Sequence, residues 1–285
     1  MNTGSKIISN NNGGVFINGS FTMNGGEISE NNGIGVYVAE HRAFTMNDGE
    51  ISGNRGRGVF VGGFAGFTMN GGKITNNNGG VNVDYRGTFT IRGGIISGNI
   101  TNNGDGGGVR VATASFTMVG GEITNNKARN GGGVYLSEST FIMRNGIISG
   151  NTAGENGGGV CVIRTSWANS VFTMEAGVVS NNTTTNNGGG VYSSGTFNMI
   201  NGNISGNTAS FGGGVYSLNN TFFKAGGTIY GYSERDDNSN RAMSGINRGH
   251  AVFVGSNPVK RRESTAGTED NLDASRDGIA GGWGF

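Results

Sequence analysis

A single repeat runs through almost the whole chain and limits its possible folds more than any other feature. The triplet Phe-Thr-Met, or a close variant, recurs with spacings of 23, 23, 22, 27, 25, 31, 25 and 25 residues. Its aromatic residues are Phe21, Phe44, Phe67, Phe89, Phe116, Phe141, Phe172, Phe197 and Phe222. A period of this length indicates a solenoid, in which each repeat buries its apolar side chains only by stacking on its neighbours.

Two intervals inside the repeat never vary. Gly always follows the Phe by five residues, and Ile or Val always follows it by seven. This regularity predicts a turn residue with a positive φ angle just before a short buried strand. The Phe segment alternates apolar and polar residues, and another segment reads Gly-Val-aromatic-Val, as in 35–38. The repeat is therefore predicted to contain three short strands.

The three segments predict an all-β fold, a triangular coil whose strands pair with their equivalents about 4.8 Å away in the next coil. A helical solenoid is excluded, because the chain has 59 Gly and 40 Asn and shows no helical period. We predict about nine full coils within residues 1–254, with a charged loop at 231–250. Residues 255–285 leave the repeat and are expected to cap the last coil, with a disordered tether as the alternative.

Composition excludes several classes of function. Lys and Arg number 20 and Asp and Glu number 19, so the net charge of +1 does not favour nucleic acid or an anionic membrane as the main partner. The single Cys excludes a disulfide scaffold and a cysteine-rich zinc site. No apolar stretch approaches the 18 residues of a membrane span. We predict no cofactor and no metal site.

A column of Asn residues follows the Ile segment from coil to coil. It comprises Asn31, Asn54, Asn77, Asn99, Asn126, Asn151, Asn182 and Asn207. The series is expected to start at Asn11 and to be broken in the last coil by Tyr232. Stacked amides can hydrogen-bond along the axis, so we predict a structural Asn ladder at this turn.

The repeat resembles that of a known family of proteins. The units Phe21–Ser29 and Gly188–Tyr192 are similar to the repeats of bacterial surface proteins that form a right-handed parallel β-helix, in the pectate-lyase-like superfamily. The tail from Arg262 to Phe285, with Gly281-Gly-Trp-Gly284, resembles the region that ends such arrays in spirochaete-like repeat proteins. The resemblance implies a right-handed coil and a surface-exposed or secreted protein, although residues 1–12 show no signal segment.

The residue after each Val of the Gly-Val segment is expected to point outward. This column is Phe16, Tyr37, Phe60, Asn82, Arg110, Tyr135, Cys161, Tyr192, Tyr216 and Phe253. Aromatic residues at one-coil spacing can stack against sugar rings or bind a protein, but they can also stack on one another and stiffen the sheet. If the column binds a ligand, the predicted contacts are Tyr37, Phe60, Arg110, Tyr135, Trp167, Tyr192 and Tyr216.

Candidate catalytic groups are few, and none is predicted to be catalytic. The resemblance to the pectate-lyase-like superfamily implies two kinds of catalytic site. Lyases of that superfamily use clustered acids to hold calcium, and its hydrolases use Asp residues on neighbouring strands. Here Glu27, Glu50 and Lys73 share one outward position, which is also typical of a solvated ladder of charges. The group Asp84, Arg92, Arg110 and Glu122 falls within two coils but on different strands, and is not expected to converge. Cys161 is expected to be structural or a surface thiol.

The sequence favours a non-catalytic module of a bacterial cell surface, used for adhesion or for binding a glycan or protein. One alternative is a polysaccharide lyase or glycoside hydrolase that uses the same face. Another is a structural element that associates end to end and forms filaments. The expected partners are a polysaccharide or a protein on a host or neighbouring surface, and no nucleic acid.

Overall fold

The structure is a computed structural model that describes residues 1–218, 221–232, 238–244, 249–255, 260–267 and 272–273. These residues form a parallel β-solenoid, and no helix occurs among them. The predicted all-β coil of about nine turns is therefore confirmed. We count coils 1 to 9 from the Val that starts each Gly-Val segment: Val15, Val36, Val59, Val81, Val109, Val134, Val160, Val191 and Val215.

Each coil contributes strands to sheets that we name after their inward residue. The Val sheet contains Val15–Ile17, Val36–Val38, Val59–Val61, Val81–Asp84, Val109–Ala112, Val134–Ser137, Val160–Ile163, Val191–Ser193, Val215–Leu218 and Val252–Gly255. The Phe strands are Ser20–Ser29, Ala43–Ser52, Gly66–Met69, Thr88–Ile91, Ser115–Met118, Thr140–Met143, Val171–Met174, Thr196–Met199 and Phe222–Lys224. The Ile strands are Lys6–Ile8, Lys73–Thr75, Ile95–Ser97, Glu122–Thr124, Ile147–Ser149, Val178–Ser180, Asn203–Ser205 and Thr228–Ile229. Phe and Ile strands join one sheet, because Ser20–Ser29 and Ala43–Ser52 each run through both segments.

The core consists of columns of identical or similar side chains. Strands pair in register, so that Phe67 lies between Phe44 and Phe89, with ring centroids 4.8 Å from each. From Phe44 to Phe222 every ring of this column is buried, and the Met, Val and Ile columns are buried beside it. Period-two alternation therefore places one face of every strand in a dry interior and the other face outside.

The invariant Gly five residues after each Phe has the predicted positive φ angle in all nine repeats, from 77° to 109°. At Gly146, a Cβ atom would lie 2.5 Å from the Cε of Met118 and 2.8 Å from the carbonyl oxygen of Gly121. The position thus requires Gly both for its backbone angle and for the close approach of the neighbouring coil.

Coils 5 to 9 contain a fourth, two-residue strand that the sequence analysis did not predict. These strands are Lys127–Ala128, Thr152–Ala153, Thr183–Thr184, Thr208–Ala209 and Arg241–Ala242. The connection from the Ile strand to the next Val strand, counted from Ile or Val to Val, has 7–8 residues in coils 1–3, 11–13 in coils 4–8 and 23 in coil 9. The longer connections provide backbone that pairs with the same segment of the next coil, and two residues are too few to show alternation.

The column of Asn residues forms a ladder along the solenoid axis. The side chains of Asn31 to Asn207 are buried, and each Nδ2 donates to the Oδ1 of the next Asn at 2.8–3.1 Å. Two expectations about its ends were wrong. The first member is Asn10 rather than Asn11, because Ile7 and not Ile8 pairs with Ile28. The last coil is not broken at Tyr232, because Asn240 accepts from Asn207 at 2.9 Å.

Described parts of the C-terminal segment lie on the last coil. Lys260–Arg262 pairs antiparallel with Val252–Gly255, and Leu272–Asp273 pairs antiparallel with Phe222–Lys224. Ala266 also forms a backbone bridge with Ile229. Residues 233–237 and 245–248 of the loop predicted at 231–250 lie outside the described residues, as do Trp283 and Phe285.

Candidate ligand-binding face

The outer face of the Val sheet carries the column that the sequence singled out. Two groups of its rings stack along the axis, and we call them the N-stack and the C-stack. In the N-stack, the ring centroids of Phe16 and Tyr37 are 5.3 Å apart and those of Tyr37 and Phe60 are 5.0 Å apart. In the C-stack, Tyr192 and Tyr216 are 5.6 Å apart, and Tyr216 and Phe253 are 5.1 Å apart. Between the stacks the column holds Asn82, Arg110, Tyr135 and Cys161, so the aromatic strip is interrupted.

Much of the column is only half-exposed, because Gly-rich turns fold against it. A Cβ atom on Gly157 would lie 2.7 Å from the Cβ of Cys161, which shows how closely the turn approaches. Cys161 is fully buried, which agrees with a structural residue and excludes the alternative of a surface thiol. Burial raises the pKa of its thiol well above the ordinary value and keeps it protonated.

These turns are held by a second set of axial amide contacts that the sequence analysis missed. Asn130 Nδ2 donates to Asp105 Oδ1 at 3.1 Å, Asn156 Nδ2 to Asn130 Oδ1 at 3.3 Å, and Asn187 Nδ2 to Asn156 Oδ1 at 3.1 Å. All four residues directly precede a Gly-Gly-Gly triplet. That shared position was the signal that could have revealed them.

An ionic network lies in the middle of the column. Arg110 Nη1 donates to Asp84 Oδ1 at 2.9 Å and to Asn82 Oδ1 at 3.0 Å. Asp84 and Arg110 thus converge, contrary to the expectation, because they lie on neighbouring Val strands in register. Arg92 and Glu122 are not part of this network, since they lie after a Phe strand and in an Ile strand respectively.

Arg57 reaches across two coils to the turn before coil 5. Its guanidinium donates to the carbonyl oxygens of Gly106 and Asp105 at 2.8 and 3.1 Å. Burial, and then the like charge of Arg110, lower the pKa of Arg57 to about 10. Arg57 therefore ties the turn before coil 5 to the turn before coil 3, a role that no sequence pattern indicated.

The repeat matches one family of known proteins. The sequence model described as "Right handed beta helix region" matches residues 7–174, more than half of the chain. The chain belongs to this right-handed β-helix family. No curated protein and no solved structure matched it. Among the described residues of this β-helix, no helical segment has the length and apolarity of a membrane crossing.

A column of charged residues on the outer face of the Ile strands makes local contacts. Its members Glu27, Glu50 and Lys73 are aligned in register, beside a shallow depression of about 400 Å³. Ser29 Oγ donates to Glu27 at 2.6 Å and Lys6 Nζ lies 3.0 Å from it, and these contacts hold the pKa of Glu27 below its ordinary value. Within the described ranges no three His, Cys, Asp or Glu side chains are grouped so that they could hold a metal ion.

Trp167, which the sequence analysis groups with the predicted contacts of the column, lies outside the Val sheet. Its turn connects the Val strand of coil 7 to the Phe strand, and the side chain is 89 % exposed. Thr165 Oγ1 accepts from the backbone N–H groups of Trp167 and Ala168 at 3.1 Å and donates to Glu138 Oε1 at 2.7 Å. The turn is therefore held in one geometry at the corner between the two sheets.

Burial of the column makes the stability of the protein depend on pH. Burial raises the pKa of Tyr135 and of Tyr192 from 10.0 to about 12. Below pH 10 both states of the protein hold these protons, and between about pH 10 and 12 only the folded state does. We expect the folded protein to lose stability over that interval, and its tyrosinate absorbance to include groups that ionise near pH 12.

Thermal melts from pH 8 to 12 and a tyrosinate titration at 295 nm test this expectation. The variant Tyr135→Phe/Tyr192→Phe keeps both rings and should show a smaller loss of stability above pH 10 than the wild type. Ionisation of every tyrosine near pH 10, while far-ultraviolet circular dichroism stays native, would show that the column is solvated instead.

Proposed function

We propose that this β-helix is a non-catalytic module that binds a glycan along the outer face of its Val sheet. The observation that carries the proposal is the pair of axial stacks, whose Tyr37, Phe60, Tyr192 and Tyr216 rings are half-exposed and held by their neighbours. Rings that are already fixed lose little conformational entropy when a ligand packs against them. Tyr in addition offers a hydroxyl group at the edge of an apolar surface.

The ionisable groups of this face support binding more than catalysis. Asp84 is paired with Arg110, and Asp105 lies 3.3 Å from Arg129 and also accepts from Asn130. A lyase or hydrolase needs an acid and a base that are free to exchange protons with the substrate. The alternative, that the protein cleaves the polysaccharide it binds, is tested by an assay for cleavage products.

The location and partner of the protein extend the same proposal. By resemblance we place it at a bacterial cell surface or outside the cell, where a polysaccharide or a surface protein of a host or neighbour is accessible. Filament formation has less support. Lys260–Arg262 and Leu272–Asp273 already pair with strands of the last coil, where a second copy would have to add its own strands.

Affinity electrophoresis in native gels with a panel of neutral and acidic polysaccharides tests the proposal. We expect at least one polysaccharide to retard the wild type, and Tyr192→Ala/Tyr216→Ala to weaken the apparent affinity at least about tenfold. Thr173→Ala, on the outer face of the Phe sheet, is the matched control and should bind like the wild type. Equal retardation of the double variant and the wild type would remove the C-stack from the binding site.

A further inference from the structure

A second group of exposed rings lies at the corner where the chain leaves the Val strand and enters the Phe strand. We call His41, Phe64, Tyr85 and Arg86, from coils 2–4, the aromatic corner. The rings of His41 and Phe64 stack with centroids 4.9 Å apart, and Tyr85 meets Phe64 edge-on at 5.9 Å. Arg86 Cζ lies 5.5 Å from the Phe64 ring centroid. Phe64 is 45 % exposed and Tyr85 is 59 % exposed, so this apolar surface faces solvent.

The backbone at the aromatic corner is in a conformation that these residue types disfavour. The φ angles of His41, Phe64 and Tyr85 are 61°, 56° and 41°. A left-handed conformation costs roughly 1–2 kcal/mol for each residue that carries a Cβ. Coils 5 and 6 turn the corner with Thr113 and Glu138 in the same conformation, with φ angles of 52° and 54°. The left-handed position is therefore a feature of the corner, and it does not require rings.

Unpaired positive charge accompanies the rings. Arg42 and Arg86 are exposed, and neither guanidinium takes part in an ion pair with any residue that the structure describes. An Arg fork binds a carboxylate through two parallel hydrogen bonds, and an aromatic ring packs against the apolar face of a sugar. One ligand class offers both features, namely a sugar that carries a carboxylate.

The same corner extends along the solenoid axis. Trp167 occupies it in coil 7, three coils beyond Tyr85, which is roughly 14 Å at the spacing of β-strands. Exposed Arg164 begins the same turn. Coils 5 and 6 carry Thr113 and Glu138 at this corner, so the rings and cations form two groups. A polymer that lies parallel to the axis can contact both groups, whereas a single sugar cannot.

We infer that the aromatic corner is a binding site for a carboxylate-bearing polysaccharide, separate from the stacks on the Val sheet. The site does not depend on binding at those stacks, because its residues lie in the turns that follow the Val strands, whereas the stacks lie on the strands themselves. It extends the role of the β-helix from one ligand-binding face to two.

The test uses affinity gels that contain alginate, hyaluronan or carboxymethyl cellulose, with hydroxyethyl cellulose as the neutral comparison. The wild type should be retarded by at least one acidic polymer, less so as salt is added, and not by the neutral one. Arg42→Gln/Arg86→Gln keeps the rings and should weaken this binding at least about tenfold. Retardation by none of the acidic polymers would overturn the inference, as would equal retardation by the neutral polymer.

A second variant separates binding from folding. Phe64→Gly removes the ring at a position whose φ angle favours Gly, so its melting temperature should equal or exceed that of the wild type. Its binding to the acidic polymer should nevertheless fall at least about tenfold. Tyr192→Ala/Tyr216→Ala should retain the acidic polymer. If Phe64→Gly binds like the wild type, or only the C-stack variant loses binding, the aromatic corner is not the site.

Discussion

Replacing Asn126 with Ala is expected to lower the free energy of unfolding by about 2–6 kcal/mol. The Asn126 Oδ1 accepts from both the backbone N–H and the Nδ2 of Asn99, and its own Nδ2 donates to the Ile96 carbonyl and to Asn151 Oδ1. All of these groups are buried beyond the reach of water. Ala therefore removes the partner of the Asn99 backbone N–H and one hydrogen bond each from the Ile96 carbonyl and Asn151 Oδ1. A buried polar group that loses its partner costs about 1–3 kcal/mol.

Urea denaturation followed by circular dichroism measures this loss. Asn103→Ala is the control, because Asn103 is exposed in the connection to coil 5 and should change stability by less than about 0.5 kcal/mol. Asn126→Asp should also destabilise the protein at neutral pH, since a carboxylate cannot donate and its charge would be buried. Equal stability of Asn126→Ala and Asn103→Ala would mean that the ladder contributes nothing to folding.

Replacing Phe141 with Ala is expected to lower the free energy of unfolding by about 3–5 kcal/mol. The ring is fully buried between Phe116 and Phe172, with centroids 4.5 and 4.7 Å away. Its removal leaves a cavity that cannot close, because strand pairing fixes the spacing of the coils.

The adjacent residue provides the matched control for Phe141. Ile142 lies in the same strand but faces outward, where most other coils carry Thr. Ile142→Thr should change the stability by less than about 1 kcal/mol, because Thr suits an outward strand position. Similar losses for Phe141→Ala and Ile142→Thr would contradict the assignment of inward and outward faces.

The repeat made the fold accessible from the sequence. Invariant spacing within the repeat indicates that the strands of successive coils pair in register. Pairing in register brings equivalent residues into contact, so these contacts can be predicted from the spacing alone. For this reason the Phe column, the turn Gly and the interior of the Asn ladder follow from the spacing alone. The same logic could have joined Asp84 to Arg110, which lie three and one residues after Val81 and Val109 in paired strands.

Features outside the repeat were not accessible in this way. Asn240 joins the ladder after an insertion at 231–239. The residue three positions after Ile229, where the spacing predicts the next Asn, is therefore Tyr232. The span of Arg57 over two coils depends on the conformation of a long side chain. The aromatic corner, by contrast, could have been aligned from the spacing, because His41, Phe64 and Arg86 each lie three residues before the Phe of the repeat.

The most direct test of a non-catalytic binding role measures binding and cleavage in the same mixture. The protein is incubated with each polysaccharide that retards it, and the mixture is then assayed for new reducing ends and for unsaturated sugars. The account predicts retention of the polysaccharide with neither product, at protein concentrations and incubation times at which a lyase or hydrolase would release measurable product. Accumulation of either product would contradict it and would direct attention to Asp84 and Asp105, the carboxylates that contact Arg110 and Arg129.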